Sequence, residues 1–226
     1  MINVVKKYVL SAVPAPTPIV EPVSKLGGQP VWLAEPKWPL SKATGKPMSF
    51  VGQFALYPEI FGSFEAQMAY IFMYDDEPFV DGTWLPNGGE NAVILQPGAW
   101  NGPTMASATG PTLYDTVQRP DGVVEQVPVE YGLRLTLGED ADVLDENAFR
   151  ARDAWDEYCA YLDESKIGGA PAFLQNPEYP GPGSWRLLAQ LNGDLFDYNI
   201  NFGDAGVGYA FIDDDGVAAK FLWQCL

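Results

Sequence analysis

Apolar and polar residues alternate with a period of two along several short stretches of the chain, the pattern of β-strands. Met48 to Leu56 puts Phe50, Gly52, Phe54 and Leu56 on one face and Val51, Gln53 and Ala55 on the other. Gln67 to Tyr74 is a second strand, rich in aromatics and ending at Asp75-Asp76, and Ala92 to Gln96 is a third. Val123 to Leu137 alternates well enough for one or two more, with Tyr131, Leu133, Leu135 and Leu137 sharing a face. Trp185 to Leu191, Gly206 to Asp213 and Ala219 to Gln224 complete the set, and Asp213-Asp214-Asp215-Gly216 is the hairpin turn between the last two. Only 145–163 carries a helical period: Phe149, Trp155, Cys159 and Leu162 recur behind an acidic first turn. Residues 1–23 read as a lead-in strand followed by a Pro-rich arm, Val13 to Pro18.

The strands fall into two similar sets. Ser24 to Pro39 returns as Ser165 to Pro180, with eight of the sixteen positions identical and an offset of 141. Each copy begins with a Lys-x-Gly-Gly motif, Lys-Leu-Gly-Gly at Lys25, Gly27 and Gly28 in the first and Lys-Ile-Gly-Gly at Lys166, Gly168 and Gly169 in the second. The echo continues through the following strands, matching Gln53 to Gln190, Tyr70 to Tyr209 and Gln96 to Gln224. A repeat of this length predicts an internal duplication. The expected fold is therefore α+β and β-rich, with two similar halves, each a Gly-Gly loop plus about three strands, joined by one amphipathic helix. The divisions are an arm over 1–23 and one domain over 24–226. Within the domain, repeats at 24–100 and 165–226 flank an insertion and linking helix at 101–164.

Composition narrows the function. Thirteen basic against thirty acidic residues give a net charge of −17. That excludes nucleic acid and anionic membrane surfaces as expected partners, because both are bound by neutralising phosphate with Lys and Arg. The absence of histidine removes the commonest general base and most zinc chemistry. Cys159 and Cys225 are too few for a disulfide framework and read as free buried thiols, with the cytoplasm as the expected compartment.

Candidate chemistry is sparse. Two consecutive glycines beside a lysine could form an anion-binding nest around Lys25 or Lys166. The alternative is a tight turn whose lysine stem covers apolar surface. Gln53 and Gln190 lie mid-strand among apolar neighbours and are expected to pin the backbone of their own Gly-Gly loops. Gly203-Asp204-Ala205-Gly206 precedes a strand instead of opening a helix, so it reads as a turn capped by Asp204, not a dinucleotide loop. Asp213 and Asp215 lack the later glutamate of a calcium hand and leave only a surface calcium site as an alternative. No catalytic residues, no resident metal and no cofactor are expected.

The stretches Ser165–Tyr179, Trp185–Asn192, Phe202–Asp213 and Phe221–Cys225 carry Lys-Ile-Gly-Gly-x-Pro, Trp-Arg-Leu-Leu-Ala-Gln-Leu, Gly-Asp-Ala-Gly and Trp-Gln-Cys. In this combination the chain resembles the YwqG-like domain family, which implies a β-rich α+β domain of two similar halves and no established chemistry. Lys25, Gly27, Gly28, Pro30, Trp32, Leu33, Pro47, Ser49, Phe50 and Gln53 also make the first copy similar to the start of the programmed-cell-death-2-type chaperones, which escort a ribosomal protein. Leu40 to Lys46 has no cysteine, so the zinc module of those chaperones does not carry over. The expected function is a non-catalytic protein-binding module, an escort or inhibitor of a basic partner. The alternative is a small-ligand or carbohydrate-type binding or hydrolytic domain using carboxylates. The sequence leaves the oligomeric state open.

Overall fold

The computed structural model describes residues 4–76, 78, 80–98, 109–141, 155–193 and 200–226. These form β1 (Val4–Pro14), β2 (Lys25–Gly27), β3 (Ser49–Ala55), α1 (Pro58–Phe61), β4 (Ala66–Met73) and β5 (Asn91–Pro97). They continue with β6 (Tyr114–Gln118), β7 (Val124–Pro128), β8 (Glu130–Ala141) and α2 (Trp155–Asp163). The chain closes on β9 (Lys166–Gly168), β10 (Trp185–Asn192), β11 (Val207–Asp213) and β12 (Ala219–Gln224). Ten strands make one antiparallel sheet in the order β12-β11-β10-β9-β1-β8-β2-β3-β4-β5. Its edge strands, β5 and β12, touch without pairing, so the sheet is a nearly closed barrel. The remaining pair, β6 and β7, is a separate hairpin across the Arg119–Gly122 turn.

At the centre of the sheet β1 pairs with β8 along all eleven of its residues. On its other side β1 meets β9, while β8 meets β2. The first strand of the chain therefore lies beside the strands of the second half, and β8, from the stretch between the two repeats, lies beside those of the first. Residues 4–14 are a central strand of the barrel.

Side chains on one face of these strands form a single apolar core drawn from both halves, including Leu10, Leu26, Phe54, Ile71, Ile167, Leu191, Ile212 and Phe221. The opposite face of β3 and β4 buries Phe50, Tyr70 and Phe72 beneath Trp32, and that of β10 and β11 buries Leu187, Tyr209 and Phe211 beneath Phe173. Strands buried on both faces read as near-continuous apolar runs. Strict alternation fails in β3: a register shift between Phe50 and Gly52 turns Val51 and Phe54 to the barrel core and Phe50 to the outer cluster. The matching shift in β10 falls between Leu187 and Ala189. One inserted residue in a strand flips every side chain that follows it. Leu137 is the other exception, exposed while Tyr131, Leu133 and Leu135 pack on the core.

Corresponding residues hold the segments that cover the two outer clusters. Gln53 accepts from Val31 N at 2.8 Å and donates to Val23 O at 2.8 Å. Gln190 accepts from Ala172 N at 3.0 Å and donates to Tyr161 O and Glu164 O at 2.7 and 2.9 Å. The Tyr70 hydroxyl donates to Val31 O and accepts from Leu33 N, as Tyr209 does with Ala172 O and Leu174 N. Gln96 clamps Leu33, Ala34 and Glu35, and Gln224 clamps Gln175 and Asn176. Gln53 and Gln190 thus each span the chain on both sides of a Gly-Gly pair. Buried backbone groups of irregular loops need such partners.

Of the helix expected over 145–163, residues 145–154 lie outside the described residues, and α2 covers the rest in nine residues. Among its described side chains Tyr158 and Leu162, one turn apart, are buried, and the Tyr158 hydroxyl donates to Phe173 O at 2.9 Å. Cys159 lies beside that stripe and is half-buried, as is Cys225, and the two are not joined in a disulfide. A reducing agent is accordingly expected to leave the melting temperature unchanged. A drop of several degrees would instead reveal a stabilising disulfide.

Candidate functional site

The Lys-Gly-Gly motifs are spent on the fold. Lys25 and Lys166 are both 0 % exposed, so neither lysine covers an open apolar surface. Lys25 pairs with Glu130 and donates to Gln29 O at 2.6 Å. Lys166 pairs with Asp140 at 2.7 Å, and Lys7 of β1 shares the same carboxylate at 2.6 Å while also reaching Glu164. The glycine amides are occupied too: Gly28 N donates to Val129 O and Gly169 N to Lys6 O. An anion nest needs free amides and a free cation. Here internal carboxylates and carbonyls hold the two lysines and the Gly28 and Gly169 amides. All four glycines have positive φ, and a Cβ on Gly27 would lie 2.2 Å from Val129 O, so no other residue fits this turn.

The acidic turns are likewise structural. Asp213 Oδ1 accepts from Val217 N and Ala218 N at 2.8 and 3.1 Å, closing the β11–β12 hairpin. Asp215 is exposed on that turn, and the exposed Asp204 accepts from Leu226 N through its backbone carbonyl. Among the described residues no group of acidic or sulfur side chains has the spacing to hold a metal ion.

A different place gathers chemistry. Where the edge strands meet, a cavity of about 420 Å³ opens between the end of β4, the loop before β5, the β6–β7 hairpin and β12. Its wall includes Tyr74, Asp75, Trp84, Tyr114, Asn201 and Trp223, with Asp76, Thr83 and Gln126 completing the polar lining. Trp84 and Trp223 meet edge to face at 5.9 Å and 77°, so one indole from each half forms a corner. Two of the lining residues carry a polar atom without a hydrogen-bond partner among the described residues, the Tyr74 hydroxyl and Trp223 Nε1, and both atoms are buried away from the open space. Tyr74 is only 4 % exposed. A stranded buried donor costs about 1–3 kcal/mol. None of Lys25, Lys166, Asp204, Asp213 or Asp215 lines this cavity.

The two acids differ. Asp76 is exposed and reaches Lys46 at 2.7 Å. Asp75 has no cationic partner among the described residues, and burial, reinforced by the Asp76 charge, lifts its carboxyl above the ordinary value of 3.8. Burial and then the charges of Asp75 and Asp76 raise the Tyr114 phenol as well. A raised carboxyl favours folding when protonated. Its contribution is complete below the ordinary value and is lost as pH rises through the folded value. Asp75→Asn is therefore expected to raise the melting temperature at about pH 7 and to change little at about pH 3. Equal shifts at both pH values would show that Asp75 ionises freely.

Residues 67–225 match the family described as "Domain of unknown function (DUF1963)". No curated protein matches the chain.

Proposed function

This chain belongs to the DUF1963 family, and we propose that it is a non-catalytic binding module whose small ligand enters the cavity between the edge strands. One observation carries the reading: a cavity of about 420 Å³ brings the Trp84–Trp223 corner together with Asp75, which has no cationic partner among the described residues. Aromatic side chains beside convergent polar groups recur in small-molecule sites, and this lining is the more polar kind. The matching glutamine and tyrosine clamps support descent of both halves from one duplicated unit, linked through the segment that carries α2. The cavity then sits at the seam between two copies and draws Trp84 from one and Trp223 from the other.

The test is thermal stabilisation by a small-molecule library, run on the parent and on Trp223→Ala. A ligand at a hundred times its Kd stabilises by about 2.7 kcal/mol. The expected result is one or more compounds that stabilise the parent and leave the variant unmoved. Compounds acting equally on both would place the ligand elsewhere.

A second reading, an escort or inhibitor of a basic protein, is favoured by the net charge of −17. Binding of that kind weakens steeply with salt, whereas a neutral ligand in the cavity is nearly indifferent to it.

A further inference from the structure

Resting on that reading of the seam cavity, we propose that its ligand is an organic cation bearing N–H donors, an alkylammonium or alkylguanidinium group. The wall lacks one positive charge. Of its two acids, Asp76 reaches Lys46 at 2.7 Å, whereas Asp75 has no cationic partner among the described residues. No lysine or arginine stands among the described lining residues. Asp75 is half-buried, and burial with the Asp76 charge lifts its carboxyl, as expected of an anion drawn out of water without a counter-ion. A buried charge is costly until it is paired and hydrogen-bonded. An ionised carboxylate only accepts hydrogen bonds, and ammonium and guanidinium groups only donate them. Charge and hydrogen-bond direction therefore select the same ligand.

The rest of the wall suits a cation better than the alternatives. Trp84, Trp223 and Tyr114 set three aromatic side chains around the same space as Asp75. Aromatic faces attract cations through the ring quadrupole, and indole does so most strongly. The side chains of Asn201 and Gln126 add amide oxygens that accept further N–H groups. Phosphate and carboxylate ligands are repelled by Asp75 and Asp76, and a neutral ligand would leave the Asp75 charge unpaired. The volume of about 420 Å³ lies at the lower end of the small-ligand range of about 300–1,000 Å³.

Isothermal titration calorimetry of the full chain, at about pH 7 and fixed ionic strength, compares n-butylammonium and n-butylguanidinium with neutral n-butylurea and anionic n-butyrate. At least one cation is expected to bind saturably, and the urea and the butyrate are not. Asp75→Asn keeps the shape but removes the charge, and is expected to fold at least as stably as the parent at this pH. It is expected to weaken the cation by about tenfold or more. Asp76→Asn is expected to weaken it far less, because Lys46 already holds that acid. The acetylated methylamides of lysine and arginine are titrated alongside. Binding as tight as that of the free cations assigns the site to a side chain of a basic partner, and weaker binding to a free amine or guanidine. Parent-like affinity in Asp75→Asn, equal losses in the two asparagine variants, or butylurea or butyrate binding as tightly as the cations overturns the assignment while leaving the cavity a ligand site. Silence from all four probes overturns it as well. A library compound that depends on Trp223 would then still keep the cavity as a site, and a library without one removes the site itself.

Discussion

Replacing Asp140 by alanine is expected to cost about 3–5 kcal/mol of stability, the range for breaking a buried ion pair from one side. The Asp140 side chain is 0 % exposed and receives two ammonium groups, Lys7 at 2.6 Å and Lys166 at 2.7 Å, with Ala170 N as a third donor. Removing it leaves two buried lysines with only Glu164 between them. Burial opposes ionisation of Asp140, but the charges of Lys166 and Lys7 win and hold its carboxyl below the ordinary range. A depressed carboxyl stabilises above its unfolded value, and the contribution is lost as pH falls through the folded value. The gap between parent and variant is thus widest near neutrality and narrows in acid. Glu130→Ala is expected to cost less, because Glu130 retains 12 % exposure and Lys25 keeps the Gln29 carbonyl. Urea denaturation measures both. A loss below about 1 kcal/mol for Asp140→Ala would show that the two lysines find water.

The second large effect is expected at Gln190. Leucine preserves its volume but strands Ala172 N, Tyr161 O and Glu164 O, three backbone groups in or beside the core. At about 1–3 kcal/mol for each group left unpaired, the total loss is expected to reach about 3 kcal/mol or more. Gln53→Leu strands only Val31 N and Val23 O and is expected to cost less. Equal losses, or a Gln190→Leu protein as stable as the parent, would mean that water replaces the amide.

The strands with clean apolar patterns, β4, β5, β11 and β12, were legible from the chain to within a residue or two. So was the clamping role of Gln53 and Gln190, because a lone amide in an apolar strand has to be satisfied locally. The bulges at Val51 and Leu188 were not, since an extra residue in a strand leaves no mark on composition. Burial of Lys25 and Lys166 was hidden for a different reason. Their carboxylates lie on β8, 105 and 26 residues away, and no local pattern announces a long-range ion pair. The same holds for the central place of β1, whose pairing with β8 joins the chain's start to its middle.

The seam cavity was the least legible feature. Tyr74, Trp84, Tyr114, Asn201 and Trp223 come from five separate stretches and meet only when the barrel nearly closes. Two partial signals existed. A strand ended on adjacent aspartates at Asp75-Asp76, and an indole, Trp223, stood directly before the repeated glutamine Gln224. Neither pointed to the other.

The most direct measurement on the cavity follows the indole N–H signals of the seven tryptophans in nitrogen-15-labelled protein while a compound that stabilises the parent but not Trp223→Ala is added. The Trp223 signal is identified by its loss in Trp223→Phe. A ligand seated in the cavity moves the Trp223 signal most and that of its neighbour Trp84 next, while Trp32, packed over the outer cluster of the first half and outside the cavity lining, stays in place. A Trp223 signal that stands still at every ligand concentration, or that moves no more than Trp32, would contradict the site.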